Sequence, residues 1–167
     1  MIFRPKLGLA LGGGGARGGA HIGVLRVLSE VGYKPDVIVG TSIGGAVAVM
    51  LGAGWTIEHL ESFFVQTDFS KLLHLDRAGQ GLMGNDQLRA ELERLFGTTD
   101  LRDLSPKVAL MAADIRSGQR ILIEQGPVVE AVVASMAVPG LFPPVVWGDH
   151  LLVDGGITDN VPTQAAY

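Results

Sequence analysis

Apolar runs along the chain alternate with glycine-rich breaks, and the length of each run separates strand from helix. Lys6 to Leu11 is a short apolar run closed by Gly12, the pattern of a buried strand. Ile22, Val24, Leu25, Val27, Leu28 and Val31 then keep a helical spacing broad enough for near-complete burial, with Gly32 as the stop. Asp36-Val37-Ile38-Val39 predicts a second short strand, and a second helix follows from about Ile43 to Gly52. Unalternating β-branched runs suit a parallel sheet covered on both faces. Strand, helix, strand, helix is the opening of an α/β fold with a right-handed crossover.

Farther along, Ile57 to Val65 reads as helical, and Asn85 as the N-cap of a helix carrying Leu88, Leu92, Leu95 and Phe96 on one face. Asp76 to Gly84, with three glycines and little pattern, reads as a loop between them. Lys107 to Ala113 and Gln119 to Ile123 predict two strands around the turn Arg116-Ser117-Gly118. Val128 to Ala137 predicts a helix that Pro139 terminates, and His150 to Val153 a last strand running into Asp154-Gly155-Gly156. No repeat, low-complexity tract or domain boundary interrupts this pattern. Residues 1–167 are therefore read as one domain, a three-layer α/β/α fold with a mainly parallel central sheet.

Composition narrows the chemistry. The 167 residues are 47% hydrophobic and 18% charged, enough for a substantial core, and the mean hydropathy of +0.34 excludes disorder. The absence of cysteine removes disulfide scaffolds, thiol catalysis, zinc fingers and iron–sulfur clusters. A net charge of −4 argues against a nucleic-acid partner, which needs a basic face. Fourteen of the 24 glycines lie between Gly8 and Gly54, which suggests backbone in special conformations or close to a ligand. Val37 to Ile57 has no charged residue over 21 positions, long enough on paper to cross a bilayer. Gly40-Thr41-Ser42-Ile43-Gly44-Gly45 interrupts it, so a strand, a tight turn and a buried helix fit better. The apolar run Leu7 to Leu11 is too short for a secretory signal, and the chain is expected to be cytoplasmic.

Gly40-Thr41-Ser42-Ile43-Gly44 matches G-x-S-x-G between a predicted strand and a predicted helix. A serine on such a sharp turn is held strained and exposed, with a helix N-terminus nearby to favour negative charge. Gly13-Gly14-Gly15-Ala16-Arg17-Gly18 matches G-x-G-x-x-G, but the acid that a dinucleotide site wants at the end of the second strand is absent; Asp36 lies at its start. The loop's other use is a nest of N–H groups for an anion such as an acyl oxyanion. None of His21, His59, His74 and His150 follows Asp154, so a Ser-Asp-His order cannot be completed with that acid. Asp154 is left as the candidate base, against its bland reading as an ordinary turn aspartate. Asp154, Asp159 and Asn160 do not match a calcium loop, and no metal is expected.

In this order, the Gly13-to-Gly18 loop, the Gly40-to-Gly44 elbow and Asp154-Gly155-Gly156 resemble the patatin-like phospholipases. Ala134-Ser135-Met136-Ala137-Val138-Pro139-Gly140-Leu141-Phe142-Pro143-Pro144 is similar to that family's segment ahead of its aspartate. The resemblance spans residues 7 to 162 and is weakest in the middle third. It implies a patatin-like fold and a serine–aspartate dyad that cleaves lipid acyl esters without cofactor or metal. Carried over, Ser42 is the nucleophile, Asp154 the base, and the N–H groups of Gly13, Gly14 and Gly15 the oxyanion hole. A partly desolvated site is expected to raise the basicity of Asp154. The family continues through a further helix and strand, whereas this chain stops 13 residues after Asp154, so those elements are expected to be missing.

The implied partner is a lipid or other acyl-ester substrate. No basic amphipathic helix is visible, so transient contact with a membrane surface would use apolar surface around the site. The alternative is a binding or regulatory module that kept the fold and lost useful catalysis, with a nucleotide-binding protein a distant third. Arg17 is expected to brace a turn or face solvent rather than hold a phosphate. Phe63, Phe64, Phe69, Leu72, Leu73 and Leu75 fit either an acyl-chain groove or ordinary core.

Overall fold

The uncharged run from Val37 to Ile57 folds as a buried strand, a sharp turn and a buried helix, and the rest of the domain is built around it. The computed structural model describes residues 5–68, 74–75 (backbone only) and 82–167. In chain order its elements are β1 (Gly8–Leu11), α1 (Gly19–Glu30), β2 (Val37–Thr41), α2 (Ile43–Gly52), α3 (Ile57–Gln66), β3 (His74–Leu75) and β4 (Met83–Gly84). They continue with α4 (Asp86–Phe96), β5 (Lys107–Asp114), β6 (Arg120–Ile123), α5 (Val128–Ser135), β7 (Val145–Trp147), β8 (His150–Asp154) and the single turn α6 (Thr163–Ala166).

The main sheet has the order β1-β2-β5-β8-β7, with β6 also paired to β5. Its core strands β1, β2 and β5 are parallel; β2 and β5 are buried on both faces, as expected for such strands, and β1 only in part. β6 and β8 both run antiparallel to β5, and β7 antiparallel to β8. The sheet is thus mixed around a mainly parallel core. β3 and β4 form a separate antiparallel pair, so Met83–Gly84 is strand where a loop was expected. The β7 strand was also not anticipated.

Strand alternation sorts the two faces. Val108 and Leu110 meet Gly52 and Gly45 of α2, while Met111 on the opposite face meets Gly155. α2 is buried from Ile43 to Met50, because it packs on β1, β2 and β5 with α5 and the 3-10 turn at residues 15–18 alongside it. This burial accounts for the apolar run that resembled a membrane span; among the described residues no helix is long and apolar enough to cross a membrane. α1 corrects the expectation of near-complete burial. Only Ile22 and Leu25 are buried, whereas Val24, Val27 and Val31 are exposed, since α1 packs on α3 along one face only.

Candidate active site

Two close approaches build the turn after β2. A Cβ on Gly40 would stand 2.4 Å from the Gly44 carbonyl oxygen, and one on Gly44 would stand 2.2 Å from that of Leu11. Glycine at both positions lets β2 turn into α2 without separating from β1. Between them Ser42 has φ 54° and ψ −125°, and no other non-glycine residue among those described has positive φ. Such a backbone costs of order 1–3 kcal/mol and persists where surrounding structure over-determines it.

That surrounding structure comes from β5. Thr41 pairs with Met111 of β5 and Asp154 with the next residue, Ala112, along the same edge of β5, while β6 takes the other edge, so the ends of β2 and β8 meet side by side. The Ser42 side chain lies close enough to the Asp154 carboxylate to favour its charged form. Asp154 accepts the Gly156 N–H at 2.7 Å, and its own N–H donates to the Ala137 carbonyl at 2.8 Å. Ser42 and Asp154 are both buried, at 8% and 6% exposure. Burial pushes the Asp154 carboxyl above its ordinary value, against the lowering effect of the nearby Ser42 side chain and of the Gly156 N–H.

The glycine-rich loop lies beside this pair. Gly12 follows β1, residues Gly15–Gly18 form a 3-10 turn, and α1 begins at Gly19. A Cβ on Gly13 would stand 3.3 Å from the Ser42 Cβ. The expected donor set needs one correction. The Gly13 N–H is committed to the Asn160 carbonyl at 3.0 Å, because the segment after Asp154 runs back alongside the loop. The Gly14 and Gly15 N–H groups have no acceptor among the described residues, and Gly15 lines the same cleft as Ser42.

The histidines are engaged elsewhere. His21 bonds the Gly12 carbonyl at 2.8 Å, His59 stacks on Trp55 at 3.9 Å, and His150 faces Asp114 at 3.4 Å. The His74 side chain lies outside the described residues. Arg17 braces its turn, its Nε donating to the Gly14 carbonyl at 3.4 Å. No group of side chains among the described residues is arranged to hold a metal ion.

Sequence reasoning missed Ser135. It is fully buried at the end of α5, accepts the Ser42 N–H at 2.9 Å and donates to the Met111 carbonyl at 2.7 Å. A serine in the apolar run Val128 to Ala137 was the available signal. Thr41 was also missed; its hydroxyl donates to the Asp159 carbonyl at 3.0 Å and ties the elbow to the segment after Asp154.

Ser42 opens into a cleft of about 900 Å³ lined by Ile22, Ile43, Phe64, Val65, Met136 and Phe142 among others. Its lining is mostly apolar, and its size falls in the range of small-molecule sites. Of the aromatic and leucine residues that fitted groove or core, Phe64 lines this cleft. Phe63 packs edge-on to Trp55 at 5.4 Å against the core. Phe69, Leu72, Leu73 and the Leu75 side chain lie outside the described residues.

The comparisons with known proteins follow the same lines. An uncharacterized NTE family protein of Mycobacterium tuberculosis is 34% identical over 160 residues, covering 95% of this chain and 44% of that protein. Lysophospholipase NTE1 of Candida albicans is 30% identical over 172 residues, covering 98% of this chain and 12% of that one. The chain thus spans less than half the length of these relatives. The crystal structure of VipD from Legionella pneumophila superposes with a TM-score of 0.74 over 95% of this chain and 47% of VipD, at 18% identity, a likeness of fold. A patatin-like phospholipase family model matches residues 9–167, and the chain belongs to that family.

Proposed function

We propose that this chain is a serine acyl hydrolase that cleaves lipid acyl esters of the phospholipase A, lysophospholipase or esterase type. Ser42 is the nucleophile and Asp154 the base. The observation that carries the reading is the strained Ser42, which lines an apolar cleft and sits beside the buried Asp154 carboxylate. Family membership and the lysophospholipase relative support the substrate class.

As the Ser42 Oγ attacks the ester carbonyl, its proton passes to Asp154 and the carbonyl π pair moves to oxygen. The Gly14 and Gly15 N–H groups and the N-terminus of α2 are the candidate stabilisers of that oxyanion; one such donor is worth about 3 kcal/mol. The intermediate collapses by breaking the bond to the alkoxy oxygen, which takes the proton from Asp154 and leaves as the alcohol. Water then attacks the acyl-Ser42 carbonyl and gives a proton to Asp154. Collapse releases the fatty acid, and the proton returns to the Ser42 Oγ. An ordinary aspartate is a weak base at neutral pH, and burial of Asp154 brings it closer to the working range.

The test is labelling of the purified chain with a fluorophosphonate, with the adduct mapped by mass spectrometry and Ser42→Ala as control. One adduct per chain on Ser42 is the expected result. A folded protein that takes no label, or takes it equally in Ser42→Ala, would leave the non-catalytic binding module as the better reading.

A further inference from the structure

The cleft that holds Ser42 is lined by only two charged side chains among the described residues, and they are paired. Arg26 of α1 donates through a terminal guanidinium nitrogen to the Glu61 carboxylate of α3. Both remain part-exposed, at 42% and 53%, so each presents an unused side to solvent and to the cleft. A guanidinium has five N–H donors, and this pair shows one of them in use. An ammonium centre and a phosphate laid beside such a pair would meet opposite charges at both ends.

Arg26 stands on the same wall of the cleft as the glycine loop. Gly15, Gly19, Ile22, Gly23 and Arg26 line one wall of the cleft. A Cβ on Gly19 or Gly23 would meet nothing within 4 Å, so the wall between the glycine loop and Arg26 is open. Seven residues of helix advance about 10 Å, which sets the Arg26 backbone that far along the wall from Gly19. In a single-chain glycerophospholipid, six bonds separate the ester carbonyl carbon from phosphorus and ten separate it from the amine nitrogen. At about 1.2 Å of advance per bond in an extended chain, these are roughly 7 Å and 12 Å. The acyl chain is left with the apolar side formed by Phe64, Leu88, Met136, Leu141 and Phe142.

We propose that Arg26 and Glu61 form a head-group subsite for zwitterionic phospho-amino-alcohol lipids, with phosphate on the guanidinium and ammonium on the carboxylate. The subsite gives its specificity to the reaction proposed at Ser42 and rests on that reading. A plain clasp between α1 and α3 is the competing account. An exposed pair contributes about 0–1 kcal/mol to stability, and as a clasp it would act on all ligands alike.

The experiment measures binding of three hydrolysis-inert ether lipids of one chain length, below their micelle concentrations: an alkyl lysophosphocholine, an alkyl lysophosphoglycerol and an alkyl glycerol. Wild type, Arg26→Gln and Glu61→Gln are titrated by calorimetry, and p-nitrophenyl butyrate turnover is followed in parallel. Loss of a charge-assisted contact predicts that Glu61→Gln lowers the phosphocholine-to-phosphoglycerol affinity ratio about tenfold. Arg26→Gln is expected to lower the ratio of either phospholipid to alkyl glycerol by about the same factor. Butyrate turnover is expected to be unchanged in both. Ratios that stay constant, or a uniform loss for all three lipids, overturn the subsite whatever the turnover. Absence of butyrate turnover in wild type overturns the hydrolase reading whatever the ratios, so the two failures are told apart.

Discussion

The main-chain N–H of Ser42 donates to the Ser135 hydroxyl, which donates in turn to the Met111 carbonyl, so one buried oxygen joins the elbow, the end of α5 and strand β5. Ser135→Ala leaves an N–H and a carbonyl unpaired in the core, at about 1–3 kcal/mol for each group. For a chain this long, each kcal/mol lowers Tm by roughly 2–4 °C. The same change frees the peptide that aims the nucleophile, and a displacement there is expected to cut kcat about 10- to 100-fold with KM little altered. Thermal melts and steady-state kinetics on an acyl ester check both parts. A lower Tm with intact kcat would reduce Ser135 to a packing role.

Ser42 gives a cleaner measure of stored strain, because the backbone and the chemistry can be separated. Ser42→Ala and Ser42→Gly both remove the nucleophile and should both abolish hydrolysis. Only glycine adopts φ 54° with ψ −125° without a Cβ penalty. Of order 1–3 kcal/mol of strain, less the added entropy of glycine in the unfolded chain, predicts Ser42→Gly to be about 1 kcal/mol more stable than Ser42→Ala. Urea melts of the two variants decide it. Equal midpoints would mean that the neighbouring packing, not Ser42, carries the conformation.

The elbow was legible because all its signals are local. Gly40 and Gly44 stand two residues either side of Ser42, and the apolar runs before and after differ in length as strand and helix do. Asp154 was legible through the adjoining glycines, one of which supplies an N–H to its carboxylate. The commitment of Gly13 was not legible, since its partner Asn160 is 147 residues away and the bond is between two backbones. Nor does period reveal strand direction: His150 to Val153 read as a strand, but its antiparallel pairing with β5 depends on the path through β7. The exposure of Val24, Val27 and Val31 also lay beyond pattern, because apolar spacing on a helix does not say how many of its faces are covered.

The pH dependence follows from Asp154. Burial raises its carboxyl above the ordinary value, so the base form is lost at a higher pH than for an exposed aspartate. Hydrolysis is expected to rise with pH along an acid limb centred above about 3.9, the unperturbed value, and Asp154→Asn should remove both that limb and about 10²- to 10⁴-fold of the rate. The stability effect has the opposite sense. A raised carboxyl favours the folded state while it holds its proton, and this contribution is complete below the unfolded value and lost as pH climbs through the folded one. Asp154→Asn should therefore gain stability relative to wild type at pH 7 and lose that advantage as pH falls toward 4. Paired melts across this range test the sign, and a wild type more stable than the variant at pH 7 would contradict it.

Thr41 offers a test of how the Asp154 segment is held. Its buried hydroxyl donates to the Asp159 carbonyl from the far face of the sheet, and the neighbouring Asn160 carbonyl takes the Gly13 N–H. The two bonds anchor residues 155–160 to the elbow strand and to the glycine loop at once. Thr41→Val keeps the shape and removes the donor, at about 1 kcal/mol. Because the loss falls on one anchor of the segment, it should show first as local opening. Amide exchange at Gly13 and Asp159 is expected to quicken about fivefold while exchange in α2 is unchanged, and kcat should fall by less than in Ser135→Ala. Exchange that quickens equally throughout the domain would mean that Thr41 contributes only to global stability and that the Asp154 turn is held by its own bonds to Gly156 and Ala137.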